Sequence, residues 1–363
     1  MQDKSNQKIT LLQALLIFAV MRHTASMRYI PSTTTDTAHQ AAWLTIIVSM
    51  VIYIPFFLML FGVVKKFEGN SLHDIFCKVF GNFIGKSLCV LYMLWLFILL
   101  GLYLRYSGGN LVTTVFVGTD EKLIMFLAVL IIGIMLRWGI QVISRMNKII
   151  FVLMVAQFVI ILFFLFLHFR PDFVTPVSTL DIVPVIKSSV YPLTLLAYLT
   201  PLFVFNDQIV YDKKNRNKLL FIAGYITIKD ILMMLALIGM LGWQLISKLR
   251  LPFFSAVENI SLFNSSAGIE SLFMSIWILA EFISISFFTY CISRLLKSMF
   301  GLKSDAPLLT PLLGFALFFA AYFSSDIFQL TKFSKYVAPY LNLFFGLAIP
   351  VILFITGKIR KMI

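Results

Sequence analysis

Charge is what this chain has least of. Of 363 residues only 13% are Asp, Glu, Lys or Arg, about half the roughly 25% of a soluble protein. A soluble fold of this length would need far more polar surface to cover its cores. Cysteine is also scarce. Cys77, Cys89 and Cys291 are odd in number and sit in apolar runs, which excludes a secreted disulfide scaffold and suits free thiols packed as small hydrophobes. The four histidines (His23, His39, His73, His168) fall into no metal-ligand spacing. Neither a phosphate-binding glycine loop, nor a dinucleotide fingerprint, nor a nucleophile elbow is present. Catalysis, a bound metal and a cofactor are therefore not expected. What the chain has in abundance is apolar residues, at 60%, with a mean hydropathy of +0.95. Its solvent must be lipid.

A helical span needs about 20 mostly apolar residues. Ten such runs are found, at approximately 9–31, 39–63, 87–108, 122–136, 149–168, 184–210, 218–243, 268–297, 307–324 and 336–357. The first lacks the small-residue cleavage site of a signal peptide. With the N-terminus placed in the cytoplasm, nineteen Lys and Arg fall in inside segments and eight in outside segments. Three more, Arg22, Arg105 and Lys229, lie within spans. This bias predicts cytoplasmic termini. It also assigns the net charge of +14 to topology and anionic inner-leaflet lipid, not to nucleic acid.

Two connections carry structure of their own. Residues 69–86 place Leu72, Ile75, Phe76, Val79, Phe80 and Phe83 at helical spacing, as in an amphipathic helix lying at the cytoplasmic interface. The segment Leu249–Ser271, with Pro252, Phe253 and Phe254, is placed as a cap on the outer face.

Irregular backbone at membrane depth survives only beside protein or a wet cavity. The breaks in the spans are thus the informative places. In the first span Arg22, His23, Thr24, Ala25 and Ser26 interrupt an apolar run. Two readings are open: an unwound hinge with free backbone facing a ligand, or a span that ends near Met21 with an outer loop after it. In the sixth, Pro192 and Pro201 flank Tyr198, Leu199 and Thr200. Each proline removes a donor and crowds the preceding turn, so the span is either broken or kinked. Breaks at equivalent places in two halves are the mark of an inverted-repeat transporter with a midplane site. The expected fold is accordingly all-α and integral to the membrane. It is a single domain over 1–363, with five helices in each repeat (9–168 and 184–357) and with helices one and six broken.

Candidate ligand contacts are residues 22–26, Tyr103 and Tyr106 of the third span, Tyr198, Leu199 and Thr200 of the sixth, and Ser284 of the eighth. Four intramembrane charges are candidates for coupling. Glu281 is costly at mid-span unless protonated or paired, and Arg105 is a possible partner. Such a pair is either structural glue or part of a proton-linked site. Lys229 and Asp230 are adjacent on one helix and point about 100° apart, so each is expected to find a separate partner or water.

Four local patterns carry a family resemblance. They are KITLLQALLIFAV leading to Ile30-Pro31, the run Phe80-Gly81-Asn82-Phe83-Ile84-Gly85-Lys86, the run Gly139-Ile140-Gln141-Val142-Ile143-Ser144-Arg145, and Pro252-Phe253-Phe254. In order and at these depths, the chain resembles the B subunit of the nutrient germinant receptors of endospore-forming bacteria. That family lies in the amino acid–polyamine–organocation transporter superfamily. The resemblance implies a leucine-transporter-type fold and a multi-pass location in the spore inner membrane or cell membrane. It also implies a small nutrient ligand, commonly an amino acid, and as partners an A-type membrane subunit and a C-type lipoprotein. There are two departures. Gln141 replaces a usual acid, and the interruption of span one lacks glycine. The second puts amino-acid specificity in doubt, because glycine is what lets backbone approach a ligand closely. A working amino-acid permease, proton-coupled through Glu281, is the alternative function.

Overall fold

A computed structural model describes residues 8–114, 116, 118–212, 215–260, 267–302, 304–323 and 327–362. The chain is a multi-pass membrane protein. Seven helical stretches among the described residues are long and apolar enough to cross a bilayer, the first being Leu11–Lys66. That first stretch is two rods. Helix α1 (Leu11–Ala38) ends at His39, whose positive φ of 48° turns the chain. A 3-10 turn (His39–Trp43) then leads into α2 (Leu44–Lys66). The amphipathic α3 (Leu72–Phe80) precedes α4 (Asn82–Thr114), α5 (Glu121–Leu136) and α6 (Ile140–Leu167).

The sixth expected span is built from short pieces: α7 (Ile182–Ser188), α8 (Val190–Thr194) and a 3-10 stretch (Leu195–Gln208). After it come α9 (Asn215–Leu241), α10 (Trp243–Ile246), α11 (Pro252–Glu258), α12 (Ala267–Phe300) and α13 (Ala306–Tyr322). The last stretch is α14 (Ile327–Tyr336), α15 (Ala338–Leu343), a π turn (Phe344–Ala348) and α16 (Ile349–Ile359). Exposed apolar side chains such as Ile160, Phe163, Phe315 and Phe318 form the outward surface, as a lipid-facing belt requires.

The first span is not broken. Helix α1 runs continuously through Arg22–Ser26 and past Pro31 to Ala38. Two reasons are visible. The hydroxyls are absorbed locally: Thr24 donates to the Met21 carbonyl at 3.1 Å and Ser26 to the His23 carbonyl at 2.9 Å. The charges are absorbed by α9, as described below. Downstream of Pro31, Thr33, Thr34 and Thr35 donate back to the carbonyls of Tyr29, Ile30 and Pro31. These bonds add side-chain donors to carbonyls beside the proline; the carbonyl that Pro31 leaves without its helical donor is that of Met27, one turn back.

The sixth span does lose α geometry, although Tyr198–Thr200 stay in helical turns and the non-helical residue is Phe205. α8 passes into tighter 3-10 geometry over Leu195–Gln208, with Phe205 at a non-helical φ of −117° and ψ of 35°. Pro192 and Pro201 both lie in this region, and a long 3-10 run is unusual outside strained or functional segments. The break ends in a short parallel bridge, Ile9 to Ile209 and Thr10 to Val210. It joins the entry of α1 to the exit of the sixth span. Thr10 also caps α1, sharing a capping box with Gln13.

The interfacial segment forms α3 as its spacing predicts, burying Leu72, Ile75, Phe76 and Val79. Phe83 belongs instead to the first turn of α4 and is exposed. Gly81, with φ of 89°, makes the bend between the two helices. Gly85 lets them close, since a Cβ there would sit 2.7 Å from the Cys77 backbone. In the expected outer cap, α11 buries Phe253 and Phe254, with the Phe253 ring 6.0 Å from Phe158 and 5.5 Å from Phe273. Residues 261–266 of that cap lie outside the described residues.

Candidate ligand cavity and buried charge cluster

Beside the intact α1 and the broken sixth span lies a cavity of about 320 Å³. This is the small end of the roughly 300–1,000 Å³ range of ligand pockets. Helix α1 contributes Ala25, Arg28, Tyr29, Ser32 and Thr33; α4 contributes Leu99, Leu102, Tyr103 and Tyr106. Both sets follow the i, i+3, i+4, i+7 spacing of one helix face. The broken span adds Thr194, Leu195 and Tyr198, and the last helical stretch adds Asn342 and Lys335. The connection after α10 adds Lys248 and Arg250.

The aromatic wall is fixed by its own contacts. Tyr103 donates to the Met21 carbonyl at 3.1 Å, and its ring lies 6.2 Å from Tyr198 and 5.4 Å from Phe288. Tyr106 donates to Ser334 Oγ at 2.7 Å. The Arg28 guanidinium stacks over the Tyr106 ring at 4.1 Å. It also donates to Glu281 Oε1 at 3.0 Å, which accepts from Trp277 Nε1 at 2.9 Å as well.

Of the expected contacts, Ala25, Tyr103, Tyr106 and Tyr198 face this cavity. The others do not. Arg22 and Ser26 turn toward α9. His23 stacks edge-on against Phe158 at 5.6 Å and, with Thr24 and Gln157, lines a much smaller space. Leu199 faces a separate apolar hollow. Thr200 is hydrogen-bonded to Tyr92 at 2.7 Å. Ser284 donates to the Ala280 carbonyl at 3.0 Å inside α12. The physical reason is the continuity of α1: five consecutive helical residues point all round the axis, so they cannot share one side.

The charged residues are paired differently from expectation. Arg105 pairs with Glu121, not with Glu281, whose partner is Arg28. Lys229 and Asp230 do meet: Nζ lies 2.6 Å from Oδ1. Asp230 also accepts from Arg22, and Lys229 donates to Ser26 Oγ at 2.5 Å. The result is a buried cluster joining α1 to α9.

Sequence reasoning missed Arg28, Tyr29, Ser32, Lys248, Arg250 and Asn342. The helical spacing of Ala25, Arg28, Tyr29, Ser32 and Thr33 carries the signal for three of them once α1 is taken as unbroken. In the sequence alone Arg28 reads as one of the eight charges of the outside segments. Lys248, Arg250 and Asn342 arrive from distant segments and carry no local signal.

Intact and broken rods packed round an internal cavity, with charges buried between helices, define a membrane protein of the transporter or ligand-sensor class. Its fold is of the leucine-transporter type: it superposes on the crystal structure of MhsT in complex with L-phenylalanine with a TM-score of 0.67. That match covers 98% of this chain and 97% of the other at 14% identity. The chain belongs to the spore germination protein family, whose sequence model matches residues 8–329. It is 21% identical to spore germination protein KB of Bacillus subtilis (strain 168) over 98% of its length and 95% of the relative's. It is 25% identical to spore germination protein B2 of the same organism, over 48% of this chain and 47% of that one. Receptors and transporters of this kind are not enzymes.

Proposed function

We propose that this chain is the nutrient-sensing membrane subunit of a spore germinant receptor. In this reading a small ligand enters the cavity between α1, α4 and the broken sixth span and shifts a closed–open equilibrium. A ligand shifts such an equilibrium only through its differential affinity for the two states. The observation that carries the reading is the cavity itself, walled by Tyr103, Tyr106 and Tyr198 and placed against the irregular helix. Irregular backbone is what can move when a ligand arrives. The charge bias of the loops supports cytoplasmic termini in the spore inner membrane, and the two repeats (9–168 and 184–357) would rock about the cavity. An A-type membrane subunit and a C-type lipoprotein are the proposed partners.

The test is germination of spores that rely on this chain as their B-type subunit. Ser32→Trp, which fills the cavity, abolishes the response to the cognate nutrient while the protein level is kept. A normal response from the filled variant would overturn the proposal.

A working permease is the second reading, favoured by the transporter fold and by the Arg28–Glu281 pair beside the cavity. Flux separates the two: labelled nutrient accumulating in proteoliposomes of this chain alone supports the permease.

A further inference from the structure

The charge lining the cavity is all of one sign. Its ionic lining residues are Arg28, Lys248, Arg250 and Lys335. Two are balanced: Arg28 by Glu281 at 3.0 Å, and Lys335 by Asp36 at 2.7 Å. Among the described residues Lys248 and Arg250 form no ion pair with a carboxylate. Arg250 donates to Asn110 Oδ1 at 2.5 Å, and its Nε is buried without a partner.

The backbone acceptors that α1 could offer an ammonium group are also engaged. Because α1 is continuous, its carbonyls along the cavity lie in helical hydrogen bonds, and those of Tyr29 and Ile30 are capped further by Thr33 and Thr34. Among the described residues lining the cavity there is no carboxylate to attract a positive charge. The hydroxyls of Ser32 and Tyr29 remain to meet a polar group. Leu99, Leu102 and Leu195 meet an apolar one.

We infer that the cavity selects small carboxylates that lack an ammonium group, such as 2-hydroxy or simple carboxylic acids, over zwitterionic amino acids. Arg250, partly buried, supplies most of the attraction, and the exposed Lys248 adds to it. In a partly desolvated site an unpaired cation favours a carboxylate and repels an ammonium. This inference rests on the cavity being the ligand site, as proposed above, and it names the class of ligand.

The experiment is calorimetric titration of the purified full chain with two matched series. One is lactate, alanine and 1-amino-2-propanol. The other is 3-phenyllactate, phenylalanine and 1-amino-3-phenyl-2-propanol. In at least one series the carboxylate binds about tenfold or more tightly than the zwitterion, and the ammonium member does not bind. Lys248→Gln combined with Arg250→Gln weakens the carboxylate by about tenfold or more, and added salt weakens it in the intact protein. A zwitterion that matches or beats its carboxylate overturns this inference and leaves the cavity reading standing. Silence of all six compounds, or binding unchanged in Ser32→Trp, overturns both. Monodisperse elution and an unchanged melting midpoint show that each variant is folded.

Discussion

Arg22, Lys229 and Asp230 meet inside the helix bundle with almost no exposed surface. Two cations share one carboxylate, and Ser26 takes a second lysine donor. Removing the carboxylate leaves two buried positive charges facing each other. Asp230→Leu should therefore cost on the order of 3–5 kcal/mol, as uncompensated buried charge does. A melting curve in detergent checks it, and adding Arg22→Met to the same chain should recover part of the loss. A second residue-scale expectation concerns the two glutamates of α12. Glu281 is buried between Arg28 and Trp277, while Glu270 lies in the first turn, partly exposed. Glu281→Gln should alter ligand response far more than Glu270→Gln, since only the former breaks an ion pair that ties α12 to the cavity wall. Equal and mild effects in a spore germination assay would contradict this. The importance of Glu281 was legible from its depth in an apolar run. Its partner was not, because Arg28 sits 253 positions away in sequence and looked like an outer-loop charge.

At the scale of elements, the contrast between α1 and the sixth span is instructive. Both carry polar interruptions and prolines, yet only the sixth loses α geometry. Pro31 lies in α1 where threonine side chains satisfy the neighbouring carbonyls. Pro192 lies in the short α8, and Pro201 lies in the stretch that follows it, tightened into 3-10 turns. That stretch is gripped from the last helical stretch at Gly346, where a Cβ would fall 2.1 Å from the Ala197 Cβ. Gly346→Ala should force the two apart, with a loss of about 1–3 kcal/mol typical of overpacking and a weakened ligand response. Calorimetric melting and titration measure both. Helix α3 gives a pH-dependent expectation. Burial alone would raise the Asp74 carboxyl, but hydrogen bonds from the Ser71 side chain and backbone hold it below its ordinary value. A lowered folded-state value means the cap stabilises α3 above the normal carboxylate range. The stabilisation is lost as pH falls through the lowered value. Protection factors of the α3 amides, taken against the intrinsic exchange rate at each pH, should fall on acidification in the parent protein and not in Asp74→Asn.

On the scale of the whole molecule, the parallel bridge between Ile9–Thr10 and Ile209–Val210 ties the start of α1 to the end of the broken span. Arg294 with Asp207, and Tyr290 with Gln208, hold the same end against α12 at 2.6 Å and 2.5 Å. A sensor needs no passage through this end, whereas a carrier must open it. The expected outcome in proteoliposomes is saturable ligand binding with no net accumulation. Uptake that scales with a proton gradient would instead favour the permease.

The sequence by itself determined the solvent, the helical class and the approximate ends of the rods, because hydropathy is a local property and a bilayer imposes one length on every span. It also located the two interrupted segments and the tyrosines that wall the cavity. The tertiary structure decided which interruption unwinds and which stays helical, since that depends on whether a neighbour such as α9 supplies the missing partner. It likewise decided the sign of the cavity, because Lys248, Arg250 and Lys335 reach it from segments that only packing brings beside α1.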